Sequence, residues 1–159
     1  MNKTLKIALL AIAYLAIFIL GGTSGLIHPM CYAYVGALLP LLFALVYLPT
    51  TCTIQNFGAA TVLNGFLLIL FGAAGEADIS LVVGLILLTA AAEIIRFFCG
   101  YSEIKGIRFS FIPFALSFFA YTAHWWTDTE GSLAAAVAEM PAGYDAMMKP
   151  VIDNTPALI

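Results

Sequence analysis

The chain has 159 residues, 63% of them hydrophobic and 9% charged, with six Lys or Arg against nine Asp or Glu. Soluble domains carry about 25% charged residues, so this composition excludes a water-soluble globule and a disordered tail. Six scattered cations leave no basic surface for nucleic acid. What remains is an all-α, polytopic integral membrane protein with the bilayer as its solvent.

A spanning helix needs about 20 mostly apolar residues. The first candidate covers residues 5–22 behind Lys3 and Lys6. Its apolar run is too long for a signal peptide and the chain stays hydrophobic after it, so it is a retained helix. The second covers 30–48, started by Pro29 and stopped by Pro49, with a kink at Pro40. The third covers 57–74 and ends at Gly75-Glu76-Ala77-Asp78. The fourth covers 79–98. The fifth covers 107–126, with Pro113 near its start. Residues 127–156 then read as an extracellular loop that holds a short helix over 132–140. The last residues, 156–159, read as the start of a sixth span, missing or truncated.

Positive charge orients the spans. Lys3 and Lys6, and then Arg96, Lys105 and Arg108 around the fourth connection, put five of the six basic residues on one side. That side is expected to be cytoplasmic, with the N-terminus in it. Cys31 falls near the opposite face from Cys52 and Cys99, which argues against a structural disulfide. No GxxxxGK[ST] loop is present, so any ATP hydrolysis belongs to partners.

Two charges lie inside a span. Glu93 and Arg96 share a helix face at i, i+3, as an ion pair near the helix end or as a coupling point to a partner. Asn64 lies mid-span beside the small pair Thr61 and Gly65, a spacing that suits close helix packing; contact with a substrate is the alternative.

The outer face holds the remaining chemistry: both histidines, His28 and His124, with Tyr32, Tyr34, Trp125, Trp126, Asp128, Glu130, Met140, Tyr144, Met147 and Met148. Aromatic residues gather at membrane interfaces in any case. Their combination with a long outer segment also suits a binding site. Aromatic planes would take a flat ligand, and His28 and His124 would supply nitrogen to haem or iron. An enzyme acting on lipid or quinone would need an acid–base pair, and His124 with Asp128 is the one candidate. A scaffolding subunit that binds no ligand is the third alternative.

The run Phe57-Gly58-Ala59-Ala60-Thr61-Val62, the span ending Glu93-Ile94-Ile95-Arg96, the entry Arg108-Phe109-Ser110, and then Trp125-Trp126-Thr127-Asp128 and Ala142-Gly143-Tyr144 follow one another in a familiar order. This pattern resembles the Trep_Strep membrane family, regarded as substrate-binding S components of energy-coupling factor (ECF) transporters. The resemblance covers roughly residues 5–156. It implies a six-helix bundle in a bacterial cell membrane, of which five spans are visible here. It implies partners as well: a membrane T subunit and two ATPase subunits. The substrate would be a scarce nutrient, haem or an iron chelate first and a small aromatic vitamin second, carried as cargo with no resident cofactor. Its site would comprise His28, Tyr32, His124, Trp125, Trp126, Asp128 and Tyr144. Many S components dock through an AxxxA face on helix one; Ala8 and Ile12 hold that spacing here, with Ala13 and Ala16 as the other small candidates.

Overall fold

The computed structural model describes residues 2–154, apart from the side chains of Ala33 and Tyr34. Tyr34's side chain and the stub at 156–159 therefore lie outside the described residues. Every regular element among those residues is helical: α1 Lys3–Thr23, α2 Pro29–Thr53, α3 Ala59–Ala74, α4 Ile79–Cys99, α5 Ile104–Ala115, α6 Ser117–Thr122, α7 His124–Thr127, α8 Thr129–Glu139 and α9 Tyr144–Asp153. Four stretches are long and apolar enough to cross a membrane, and α3 is a shorter apolar helix.

The long helices alternate in direction. The start of α1, the end of α2, the start of α3 and the end of α4 meet at one end, which also carries Lys3, Lys6, Lys105 and Arg108. The opposite end gathers the α1–α2 turn, the Glu76–Asp78 turn, α7 and α8. We call these the basic and acidic ends. Between them the surface is apolar: Leu41 and Ile69 are each 71% exposed in mid-helix. A surface of this kind belongs in lipid.

Lipid offers no hydrophobic drive between helices, so shape and hydrogen bonds must join them. Tyr14, Phe18, Phe43, Phe114 and Phe118 fill the centre, with Tyr14 and Phe43 ring centroids 5.0 Å apart and Phe18 and Phe118 5.3 Å apart. Asn64 is the polar hub. Its Oδ1 accepts from the Tyr14 hydroxyl at 2.9 Å, and its Nδ2 donates to Thr89 Oγ1 at 2.8 Å and to Ser117 Oγ at 3.3 Å. One side chain thus ties α1, α3, α4 and α6, which is the packing role expected of it. Thr61 and Gly65 do not share that role. A Cβ at Gly65 would meet nothing within 4 Å, and both residues open onto surface grooves. Gly84 is a glycine that packing requires: a Cβ there would stand 2.6 Å from that of Ala120, so α4 and α6 touch through it.

The helix boundaries differ from expectation in several places, with α3 starting at Ala59 and α5 at Ile104. Pro49 does not stop α2, which continues to Thr53. The hydroxyls of Thr50, Thr51 and Thr53 donate back to the Val46, Leu48 and Pro49 carbonyls, satisfying acceptors around the interruption. The fifth span is broken at Leu116 between α5 and α6, just after Pro113, and Ser117 Oγ donates to the Phe114 carbonyl at 2.7 Å across the break. Among the described residues, 127–154 contain two helices. The short one expected at 132–140 is α8, and α9 is a second that carries Tyr144, Met148, Val151 and Ile152 on its buried face. Tyr144 is level with Gly25 and Tyr32, while Met148, one turn on, borders Gly36 and Phe119. So α9 descends beside α2 from the acidic end.

Glu93 and Arg96 have a clear structural task. Arg96 is fully buried and is not part of the basic loop. Its Nη2 donates to the Ile54 carbonyl at 2.7 Å, and its Nη1 lies 3.6 Å from Glu93 Oε2. Glu93 Oε1 accepts from the Ala60 N–H at 2.8 Å and the Thr61 N–H at 3.3 Å. The pair therefore satisfies the end of α2 and the start of α3. With 16 residues, α3 spans only about 24 Å at 1.5 Å per residue, short of a hydrocarbon core of about 30 Å. The irregular stretch before it reaches membrane depth, where backbone groups must find partners inside the protein.

Candidate functional site

At the acidic end, five pieces of chain enclose a cavity of about 350 Å³. Gly22 and Gly25 come from the end of α1 and the 3₁₀ turn after it, Tyr32 from α2, and Glu76 and Asp78 from the α3–α4 turn. Tyr121, His124 and Trp125 come from α6 and α7. The roof is α8, with Asp128, Ser132 and Glu139, followed by Met140 and Tyr144.

Local hydrogen bonds set this roof. Asp128 breaks the helical path at φ −140° and caps α8, its Oδ1 accepting from the Gly131 N–H at 3.2 Å. His124 and Asp128 are therefore not neighbours on one continuous helix, contrary to the spacing expected for an acid–base pair. Thr129 Oγ1 donates to the Trp125 carbonyl at 2.8 Å, and Ser80 and Thr127 hydroxyls meet at 2.6 Å, joining α7 to α4.

His124 is fixed by Ser132. The Ser132 hydroxyl oxygen lies 3.0 Å from the His124 carbonyl oxygen and 2.8 Å from His124 Nδ1. The Ser132 hydroxyl either donates to the carbonyl and accepts from Nδ1–H, or donates to a bare Nδ1; both arrangements hold the ring in place. Burial pushes the imidazole pKa below its usual 6.5, against the opposing pull of Asp78 and Asp128.

The aromatic wall depends on one glycine. A Cβ on Gly25 would lie 2.8 Å from Tyr32 Cδ2 and 3.2 Å from the Tyr144 hydroxyl, so its absence lets both rings close in. Trp125 packs between them, its centroid 6.4 Å from Tyr32 and 6.5 Å from Tyr144, with His124 at 4.8 Å. Trp125 is only 4% exposed, and its indole N–H has no hydrogen-bond partner. The Tyr32 hydroxyl is the polar group beside that N–H.

Of the seven residues expected at the site, Tyr32, His124, Trp125, Asp128 and Tyr144 come together on this wall. His28 and Trp126 are not among its lining. His28 is exposed and caps α2, its Nδ1 accepting from the Met30 N–H at 3.1 Å. Trp126 borders a separate small recess with Met148 and Phe119. The two histidines are thus not brought together as a ligand pair for haem or iron. Among the described residues, no three His, Cys, Asp or Glu side chains gather closely enough to hold a metal ion. Glu76, Asp78, Tyr121, Ser132 and Glu139 are wall residues that the sequence reading passed over. The acidic turn Gly75-Glu76-Ala77-Asp78 was the visible signal for Glu76 and Asp78.

Two apolar grooves lie elsewhere, towards the basic end. One, of about 680 Å³, runs between α1 and α3 and includes Ala8 and Ile12 with Thr61, Gly65 and Phe66. Ala13 and Ala16 are exposed on α1 but are not part of it. The other, of about 500 Å³, runs between α3 and α4 past Thr89 and Phe97.

Helices clad in apolar side chains around a chamber of small-molecule size define a polytopic helical membrane protein with a pocket at one membrane face. The chain belongs to the Trep_Strep family, described as hypothetical bacterial integral membrane proteins, whose family model matches residues 2–159. Neither the curated proteins nor the solved structures include a significant match.

Proposed function

We propose that this protein is the substrate-binding S component of an ECF-type importer, capturing a scarce small nutrient in the cavity at the acidic end. The observation that carries this reading is the cavity itself. It is partly enclosed, walled by Tyr32, Tyr121, Trp125 and Tyr144, and roofed by a separate helix held in place by Ser132 and Thr129. In this reading the acidic end faces outward and the N-terminus lies in the cytoplasm, as the Lys and Arg distribution favours. A membrane T subunit and two ATPase subunits complete the importer. The groove holding Ala8 and Ile12, near the opposite end, is the docking face this reading assigns to the T subunit.

The test is affinity purification of the full-length tagged protein from its native host in mild detergent, with partners identified by mass spectrometry. Recovery of a T subunit and two ATPases supports the proposal. Their absence, under conditions where a known ECF complex survives, refutes it. A Soret band in the same preparation would name haem as the cargo.

A further inference from the structure

The cavity wall has a strongly biased charge. Among the described residues it carries four carboxylates, those of Glu76, Asp78, Asp128 and Glu139, and neither Lys nor Arg. Glu76 and Asp78 act electrostatically on Tyr121, and Asp78 and Asp128 act on His124, so the charges face the aromatic wall. An anionic ligand would meet carboxylates with no cation to neutralise it. Haem, with two propionates, has the same difficulty. A bare metal ion fits the sign of the charge but lacks a ligand set, since no three suitable donors converge. The remaining positive ligands are organic cations. These do not need convergent donors, because aromatic faces and diffuse negative potential hold them.

The lining of Tyr32, Tyr121, Trp125 and Tyr144 supplies flat aromatic faces, and together with the four carboxylates it describes a flat aromatic cation. We infer that the cavity is built for a flat aromatic cation, its charge towards Glu76, Asp78 and Asp128 and its ring among Tyr32, Tyr121 and Trp125. This inference rests on the reading of the same cavity as the capture site, and names the class of nutrient it takes.

The experiment uses three compounds of one shape and different charge: 1-methylquinolinium, 1-methylnaphthalene and 1-naphthoate. Each is titrated into the full-length protein in lipid nanodiscs, with binding read by calorimetry and by tryptophan fluorescence; haem is a fourth probe. The expected result is that the cation binds at least about tenfold more tightly than the neutral compound. The anion should bind more weakly still, and Glu76→Gln with Asp128→Asn should lower cation affinity by about tenfold while leaving the neutral compound unaffected. Both substitutions keep their hydrogen-bonding shape, and thermal unfolding of the variant confirms an intact fold. The inference is overturned if the cation binds no more tightly than the neutral compound, if no probe but haem binds, or if none binds. These outcomes are independent of the partner purification. Recovered ATPases without cation selectivity would sink this inference alone, and cation selectivity without ATPases would sink the importer alone.

Discussion

Replacing Glu93 with Ala should destabilise the protein by about 3–5 kcal/mol, the range for leaving one member of a buried ion pair without its partner. The structure sets out what is lost. Glu93 is 3% exposed and Arg96 0%. The truncation removes the carboxylate 3.6 Å from Arg96 Nη1 and the acceptor that serves the Ala60 N–H at 2.8 Å and the Thr61 N–H at 3.3 Å. Arg96 keeps the Ile54 carbonyl and the Tyr101 ring, with its centroid 5.2 Å from the guanidinium carbon, so part of its stabilisation survives. Glu93→Gln retains an oxygen for the two N–H groups and loses the charge alone, so it should cost less, about 1–3 kcal/mol. Glu93→Gln combined with Arg96→Met should recover part of the loss, because no buried charge remains unbalanced. Reversible unfolding in mixed micelles by SDS titration gives all three values. A cost under about 1 kcal/mol for Glu93→Ala would refute the reasoning, since it would mean that Arg96 reaches water on its own.

Three further outcomes follow from the same geometry. Asn64→Leu should cost about 1–2 kcal/mol, from three interhelical hydrogen bonds at an average of about 0.6 kcal/mol each. A double-mutant cycle with Tyr14→Phe should find that loss partly shared. The three cysteines are free and exposed, Cys31 at the acidic end and Cys52 and Cys99 at the basic end. A membrane-impermeant maleimide added to intact cells should therefore label Cys31 and spare the other two; the reverse pattern would invert the proposed orientation. Cation affinity should also respond to His124. With its pKa held below 6.5 by burial, His124 is neutral at pH 7, and it gains a proton only as pH falls through that lowered value. The added positive charge, facing Asp78 and Asp128, then competes with the ligand's own. Affinity for 1-methylquinolinium should be flat above about pH 6.5 and decline below it. His124→Gln should remove the decline, as checked by calorimetry across that range.

Much of the architecture was legible without coordinates, because the bilayer imposes a length and an apolar composition on any span. The first and fourth helices lie where their apolar runs place them, and the third lacks only its first turn, since Gly58 at φ 120° delays its start. Charge asymmetry between the ends was equally plain, because Lys3, Lys6, Lys105 and Arg108 all lie in the first turns of helices that start at one end. What the pattern misjudged were breaks. Pro49 looked like a stop, yet α2 continues one turn beyond it to Thr53. Glu93 and Arg96 looked like an isolated pair, yet their main partners are the Ile54 carbonyl and the Ala60 N–H, more than thirty residues away in sequence.

The site divides in the same way. Tyr32, His124, Trp125, Asp128 and Tyr144 were readable as one cluster because they sit at helix ends on one face. Sequence placed His28 on that face too, and only the tertiary structure turned it away, as the cap of α2. Tertiary structure also brought Glu76 and Asp78, from a turn nearly fifty residues earlier, against Tyr121 and His124. Composition and periodicity determine that a residue lies at a membrane face, since those signals are local. Which residues at that face share a cavity depends on helix rotation and on where α8 folds over, and contacts distant in sequence decide both.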